Sequence, residues 1–565
     1  MGSQAPESVD LVVVGGGPTG LLSAVLARQL GLSVCVLDEK PSSLPVGRAD
    51  ALNARTQQYL EVAGTLQELR SKGIECNTSS TFAEGVFKSR QSTWWTSLEH
   101  CHHKNFLMIG QPEVEKALLG QLDTPVRFGE RVASIQEDDG GVTVTAETGR
   151  TTRAKYAIGA DGARSSVRQA LGIGFQGTKP EMLWAVLDTF LDTDFPVCSE
   201  IITFQLNGQS RVSWIPRERG MSRFYVLLEG DVTQEKAEAS IREHLAPHRV
   251  DFVRTEWFST FEGKQASKHL LSPVRLNPGW WWWWWWWVAM AHRAWPCWWI
   301  ANPLGLITVR ERIASAFVTK EGKGRIVLAG DAAHVHSVNG GQGLNTGIAD
   351  AFGLIWRLAL ACRGDGRGAD PGGVVSTYDL ERRTVAQDVI NVAARLVRDT
   401  MHTAKQYVAT IEKNAGYITG MGVAYSELGS RLIVESERGI WKAGRRCPDL
   451  TLASQRLADD EQNRQQRLYS LARYGRFQIL AIGGASNDLH AFQRFRHAAD
   501  ILVLASTAEE GAVGGQDDSD GSCPTYASDL VSPGDSFTVL VRPDMYIGYV
   551  GDAGGVQEYL LNLFA

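Results

Sequence analysis

The stretch Val12 to Gly20, VVVGGGPTG, constrains this chain more than any other segment. It places Gly15, Gly17 and Gly20 in a G-x-G-x-x-G pattern between a short β-branched run, Asp10 to Val14, and an apolar segment, Leu21 to Leu30, that reads as a buried helix. Val34 to Leu37 follows as a second buried strand, so the chain opens as a βαβ unit. In such a unit the first glycine permits a tight turn, the second lets backbone approach a pyrophosphate, and the third lets the helix pack on the strand with its N-terminus toward the anion. Asp38 ends the second strand 18 residues after Gly20, where a carboxylate accepts hydrogen bonds from a ribose diol. A purely structural glycine turn is the competing reading.

The 565 residues, 44% hydrophobic and 21% charged, suffice for two to four domains with apolar cores. A net charge of -6 without a long Lys/Arg block creates no field that gathers nucleic acid or an anionic membrane. The eight cysteines are scattered, with no C-x-x-C and no zinc-like spacing, so no metal is expected and the thiols read as reduced, in a cytoplasmic protein. The N-terminus MGSQAPESVD lacks a basic n-region. The longest apolar stretch, Trp280 to Ala291, is shorter than the roughly 18 to 20 residues of a membrane span, so no membrane insertion is expected.

Between Pro180 and Phe261 short alternating stretches, such as Ile201 to Gln205 and Phe224 to Leu228, predict an antiparallel sheet. Arg325 to Ala329 returns as a buried strand before a glycine-rich turn and a helix around Asp350 to Ala361, so the first domain is discontinuous. A mostly helical stretch runs from Tyr378 to about Lys442. A further unit begins near Arg446, with strands Phe477 to Ile482, Asp500 to Ala505 and Phe537 to Val541 and a Gly- and Asp-rich loop from Gly511 to Gly521. The expected divisions are 1–180 and 321–400 for the nucleotide-binding domain, 181–320 for the sheet domain, 401–445 for a helical connection and 446–565 for a small α/β domain.

Two further constellations decide the class. Ile158 to Arg168, IGADGARSSVR, carries Asp161 and Gly162 in a turn, then Arg164 and Arg168; Arg325 to Asn345, RIVLAGDAAHVHSVNGGQGLN, carries Asp331 at a strand end before a glycine-rich loop. Three such motifs in this order resemble the class A flavoprotein monooxygenases, and within the p-hydroxybenzoate hydroxylase group the phenol hydroxylase branch. The resemblance continues through Gln111 in QPEVEKALL, Ile215 to Glu218 (IPRE) and Tyr378 to Arg383 (YDLERR), to about residue 400. It implies an α/β fold: a Rossmann-like FAD-binding domain, an inserted antiparallel β-sheet substrate domain and a C-terminal thioredoxin-like α/β domain. That last domain lacks the redox dithiol and would serve oligomer contact, as in a homodimer.

The resemblance also implies roles. Asp331 would bond the ribityl chain of FAD. Gly341, Gln342, Gly343, Leu344 and Asn345 would turn backbone N–H groups toward the flavin pyrimidine at a helix N-terminus. Asp161 and Arg164 match a fingerprint serving both FAD and NAD(P)H, and Gln111 a flavin-contacting glutamine. Arg48 to Thr56, RADALNART, resembles the segment whose aspartate bonds the substrate hydroxyl, which makes Asp50 the expected base or phenol anchor, against a capping or surface role. NADPH or NADH would reduce the FAD, and dioxygen would reach a phenolic ring through a flavin C4a-hydroperoxide. The loop style most resembles fungal enzymes that hydroxylate aromatic polyketides.

The chain departs from the family in reading Val338-Asn339 after His336-Ser337, where a proline usually stands. The alternatives are a Baeyer–Villiger or epoxidising enzyme of the same fold, and a catalytically silent FAD-binding or scaffold protein. A flavin halogenase is disfavoured, because Arg211 and Ser213 occupy the tryptophan positions of its W-x-W-x-I-P signature.

Trp280 to Trp287 fits none of this. Tryptophan has one codon, so eight in succession require an uninterrupted TGG repeat, more readily a product of slippage than of selection. Gly263-Lys264 can be encoded GGTAAG, a splice-donor sequence, and Ala301-Asn302 GCTAAC, a branch-point sequence. Residues 263–307 are therefore expected to be a translated intron. A membrane-interface loop and a substrate lid are the competing readings.

Overall fold

The computed structural model describes residues 7–92, 95, 98–178, 183–196, 199–261, 311–336, 341–363, 373–399, 410, 412–454, 465–507 and 523–564. The insertion with its tryptophan tract, Ser337 to Asn339, and the Gly511 to Gly521 loop lie outside them.

A seven-stranded sheet forms around Glu7–Val14, which runs parallel to Val34–Asp38 on one side and to Thr151–Gly159 on the other. Leu11 to Val14 is an unbroken buried apolar run, as a parallel strand covered on both faces requires. Gly15 leaves the strand at φ +114°, a conformation that side chains resist, and helix α1 (Pro18–Gln29) follows with proline at the helix start, where a missing N–H costs nothing. Along its other edge Thr151–Gly159 pairs first with Gly141–Ala146, antiparallel, and then with Ile326–Leu328, parallel. The chain thus leaves this sheet after Gly159 and re-enters it at Ile326.

The excursion builds a second sheet in the order Val250–Phe261, Leu183–Thr193, Ser222–Leu228, Gln209–Pro216, Ile201–Leu206. Ser79–Ala83 and Val86–Gln91, from the N-terminal segment, extend its edge. Ser79–Ala83 runs parallel to Ile201–Leu206, so the sheet is antiparallel except at that junction. Two further N-terminal helices belong to this part of the chain: α2 (Ala54–Val62), capped by Asn53 accepting from Thr56 N at 2.9 Å, and α3 (Gln111–Gly120), which packs on α1.

After the returning strand come α4 (Gln342–Arg363) and α5 (Ser376–Asp399). The helical expectation to Lys442 fails after Ile418. A four-residue helix, Ala415–Ile418, is followed by irregular chain and the hairpin Glu437–Arg438 with Trp441–Lys442. Gly420, Gly429 and Gly439 adopt left-handed backbone there, which no helix interior accommodates.

The C-terminal sheet is ordered Gln465–Arg467, Thr451–Ser454, Thr525–Ser528, Ala499–Ser506, Phe477–Gly483, Ser536–Val541, Ile547–Gly551, and closes with the helix Ala553–Phe564. It is fused to the first domain: one apolar core runs from Leu11 and Val13 through Ile355 to Ile479 and Val539. Among the described residues no helix is long and apolar enough to cross a membrane.

Candidate active site

The three glycine-rich motifs meet at the C-terminal end of the first sheet. Ala160 N donates to Val14 O at 2.7 Å, and a Cβ on Gly15 would stand 2.2 Å from the Ala160 carbonyl oxygen. Gly20 presses the helix onto the turn, its Cβ position only 1.9 Å from Gly15 O. A side chain at Gly17 would meet nothing within 4 Å, and no side chain caps α1, so its first N–H groups face open space suited to an anion. Asp38 is buried and already engaged: Oδ2 accepts from Gly16 N at 2.5 Å and Oδ1 from Lys40 N at 2.7 Å. Lys40 Nζ also pairs with Oδ2 at 3.3 Å, so the second lone pair of Oδ1 is what remains for a ribose hydroxyl.

Asp161 Oδ2 accepts from Ser166 Oγ (2.9 Å) and Val167 N (3.1 Å), while its Oδ1 is buried without a bond; Arg164 is exposed beside it. The residue that joins the second motif to the third is Arg168. Its buried guanidinium donates to Ala163 O at 3.0 Å and to Ala332 O at 2.7 Å.

Asp331 lies in a single 3-10 turn, Gly330–Ala332, fixed from behind by Asp350. Asp350 Oδ2 accepts from Gly330 N (2.9 Å) and bonds His334 Nε2 (2.7 Å), and its Oδ1 accepts from Arg382 Nε (2.8 Å). Burial opposes its ionisation, but the charges of His334 and Arg382 prevail and hold its carboxyl down to about 2. Asp331 itself makes no hydrogen bond among the described residues. It keeps a solvent-exposed face although protein surrounds it closely, the situation of a residue on the wall of a cleft. Burial pushes its pKa up against the opposing pull of His334 and Arg48. Arg48 holds a left-handed φ of +69°, a strained conformation of the kind that clusters at functional sites.

Gly341 leads into the first turn of α4, where the Cβ position of Gly343 stands 3.9 Å from Asp331 Oδ1. The polar side chains of this turn hold it from outside: Gln342 Nε2 donates to Ile418 O (3.0 Å), and Asn345 accepts from Asn53 N (2.9 Å) and donates to Ala51 O (3.0 Å). The first-turn N–H groups, Leu344 N included, have no acceptor within the helix. Gln111 opens α3 and clasps the loop carrying Arg48 and Asp50, its N–H donating to Ala49 O at 2.9 Å and its Oε1 accepting from Ala49 N at 3.4 Å. Open space at Gly17, an unbonded carboxylate at Asp331 and the helix N-terminal turn that begins at Gln342 fit the pyrophosphate, ribityl chain and pyrimidine of FAD.

Asp50 is neither a cap nor a surface residue: Asn53 caps α2, and Asp50 is 4% exposed. Tyr225 OH donates to its Oδ2 at 3.1 Å. Arg223 approaches it to 3.6 Å while gripping Asp188 with two bonds of 2.6 Å and donating to Arg48 O. Arg217 lies 3.3 Å from Asp188 and bonds Glu218 at 2.8 and 2.9 Å, and Glu218 accepts from Gly110 N at 3.1 Å. Within this cluster two guanidiniums meet three carboxylates, and the surplus negative charge falls on Asp50, the one carboxylate with no bidentate partner. Burial raises the Tyr225 hydroxyl far above its usual pKa, so it stays a neutral donor. Sequence reasoning missed Tyr225, Arg223 and Asp188; their signal was only that the strand Phe224 to Leu228 exists.

A family model described as an FAD binding domain matches residues 8–266 and 307–393, more than half of the chain. The chain is a class A FAD-dependent aromatic monooxygenase. Phenol 2-monooxygenase fsqG of Aspergillus fumigatus is 26% identical to this monooxygenase over 537 residues, covering 89% of this chain and 80% of that one. Rifampicin monooxygenase of Streptomyces venezuelae is 29% identical over 385 residues, 68% of this chain and 70% of that one. Aklavinone-11 hydroxylase, solved as a ternary complex with FAD and aklavinone, has the same fold with a TM-score of 0.70 at 22% identity, covering 99% of this monooxygenase and 100% of its own chain. The family model passes over residues 267–306, inside the stretch that the sequence marks as an insertion.

Proposed function

We propose that this monooxygenase hydroxylates a phenolic ring, an aromatic polyketide being the substrate class, with Asp50 as the base or anchor for the phenol. The observation that carries this reading is the buried Asp50 carboxylate, bonded to Tyr225 from the second sheet and set two residues from Arg48, which faces Asp331. When bound, FAD reduced by NADPH or NADH supplies the activated oxygen. The chain supplies the rest. The α1 turn and Asp331 would hold the two ends of the cofactor, and the first turn of α4 would favour negative charge on it. Asp50 would take or share the phenol proton, making the ring electron-rich, while the neutral Tyr225 hydroxyl fixes the carboxylate and Arg223 stands 3.6 Å from it. The Trp257 ring, which packs against Gly47 and lies 5.2 Å from the Arg223 guanidinium, would help to exclude water.

We further infer a cytoplasmic protein with a Rossmann-like first domain and a thioredoxin-like C-terminal unit. That unit would serve contact, including a homodimer that light scattering would reveal, rather than redox chemistry. Its cysteines support this: Cys447 and Cys523 are buried, free thiols. The test of function is direct. Purified protein should be yellow, its flavin absorbance should bleach with NADPH under anaerobic conditions, and NADPH oxidation in air should quicken when a phenolic substrate is added and yield hydroxylated product. Flavin that NADPH never reduces would leave a silent FAD-binding protein instead.

A further inference from the structure

Behind the first turn of α4 lies a cavity of about 30 Å³ that no step above uses. Its polar lining from three helices includes Asn53, Arg55 and Thr56 at the start of α2, Gln342, Asn345 and Thr346 in the first turn of α4, and Arg382 on α5. Two guanidiniums, those of Arg55 and Arg382, therefore reach the same space.

Arg55 is the unusual member. It is 2% exposed, and its bonds go to neutral groups: Gln58 Oε1 at 2.8 Å, Tyr469 OH at 2.7 Å, and the carbonyls of Asp544 and Met545 at 3.2 and 3.4 Å. The rings of Tyr59 and Tyr546 flank it at 4.5 and 4.9 Å. Its Nε is buried and has no acceptor. Arg382 bonds Asp350 and Tyr425, and its remaining contact, to Thr346 O, is long at 3.5 Å.

The surrounding ion pairs do not balance either. Arg357 and Arg542 share Glu381 and Asp544, and Arg382 takes Asp350. Adding Arg55, four guanidiniums face three carboxylates. A buried cation without a counter-charge is costly, and a space beside it large enough for one ion is where that cost can be met.

We propose that this cavity binds one small monovalent inorganic anion of halide size, held between Arg55 Nε and the Arg382 guanidinium. The volume accommodates one such ion or a few waters, and charge decides between them. The bound ion completes the electrostatics of the junction among α2, α4 and α5 and braces the turn that carries Asn345. It lies on the side of α4 that the Asn345 side chain faces, apart from Asp331 and Asp50.

Bromide is the probe. Crystals of the FAD-loaded protein grown with bromide should show an anomalous scattering peak within hydrogen-bond reach of Arg55 Nε. In solution, bromide at ten times its dissociation constant should raise the folding equilibrium constant about elevenfold relative to gluconate at equal ionic strength, read as a higher melting temperature. Ala349→Val, which fills the cavity from α4 and leaves both arginines in place, should abolish the peak and the bromide advantage; Arg55→Gln, if it folds, should do the same. Ordinary water density with no anomalous signal, or a bromide advantage that persists in Ala349→Val, would overturn the site.

Discussion

At the scale of single residues, the chemistry rests on two carboxylates in opposite circumstances. Asp50 is bonded and buried; Asp331 is unbonded and faces a cleft. Asp50→Asn should therefore keep FAD yet slow hydroxylation by about 100-fold or more, with NADPH oxidation diverted to hydrogen peroxide. Unchanged product formation in a peroxide assay would remove Asp50 from the mechanism. Asp331→Ala should lose FAD, and stoichiometric flavin in the purified variant would refute the ribityl contact. Asp350 gives a pH dependence whose sign is fixed. Its carboxyl is depressed from 3.8 to about 2 in the folded protein, so its contribution is present above about pH 4 and is lost as pH falls toward 2. That contribution amounts to about 2 kcal/mol. Melting of the FAD-free protein between about pH 5 and 2 should show a steeper loss in the wild type than in Asp350→Asn.

Elements were legible in the sequence where a local rule governs them. The βαβ opening, the returning strand at Ile326 and the three C-terminal strands follow from apolar runs, most of them bounded by glycine. The strand Ser79–Ala83 did not, because it takes its place by pairing with Ile201–Leu206, more than a hundred residues away, and Val86–Gln91 pairs in turn with it. Tyr225 and Arg223 were hidden for the same reason, since their partners Asp50 and Arg48 belong to a different domain.

Strand pairing also bears on the insertion. Thr178 pairs with Glu311, and Trp184 with Phe261, while Thr178 and Trp184 belong to neighbouring strands joined through residues 179–182. The ends at Phe261 and Glu311 are thus within reach of an equally short link. Replacing residues 263–307 by a short link should give soluble, yellow, active protein, and the transcript should join the codons near Glu262 to those near Val309. A full-length message yielding soluble, active protein with all eight tryptophans would refute the translated-intron reading.

For the whole molecule, the decisive contact is the fully buried cluster of Arg357, Glu381, Arg542 and Asp544. Arg542 donates two bonds of 2.8 Å to Glu381, and Arg357 donates to Glu381 at 2.5 Å and lies 3.3 Å from Asp544. Glu381→Gln would leave two buried guanidiniums with the single carboxylate of Asp544 and should destabilise the protein by about 3–5 kcal/mol. Because Arg382, the next residue, holds Asp350 against Gly330, the same variant should bind FAD more weakly, as flavin fluorescence released on dilution would show. A melting temperature and flavin occupancy equal to wild type would contradict this coupling. The arrangement also sets a schedule for biosynthesis. A nascent chain emerges N-terminus first. The first sheet cannot gain its Ile326–Leu328 strand until the whole excursion has been made, and Glu381 cannot meet Arg542 until almost the last strand has been translated. A ribosome that stalls or terminates before Arg542 therefore releases a chain with every glycine-rich motif already in place and Glu381, the neighbour of the arginine that holds Asp350, without one of its two buried partners.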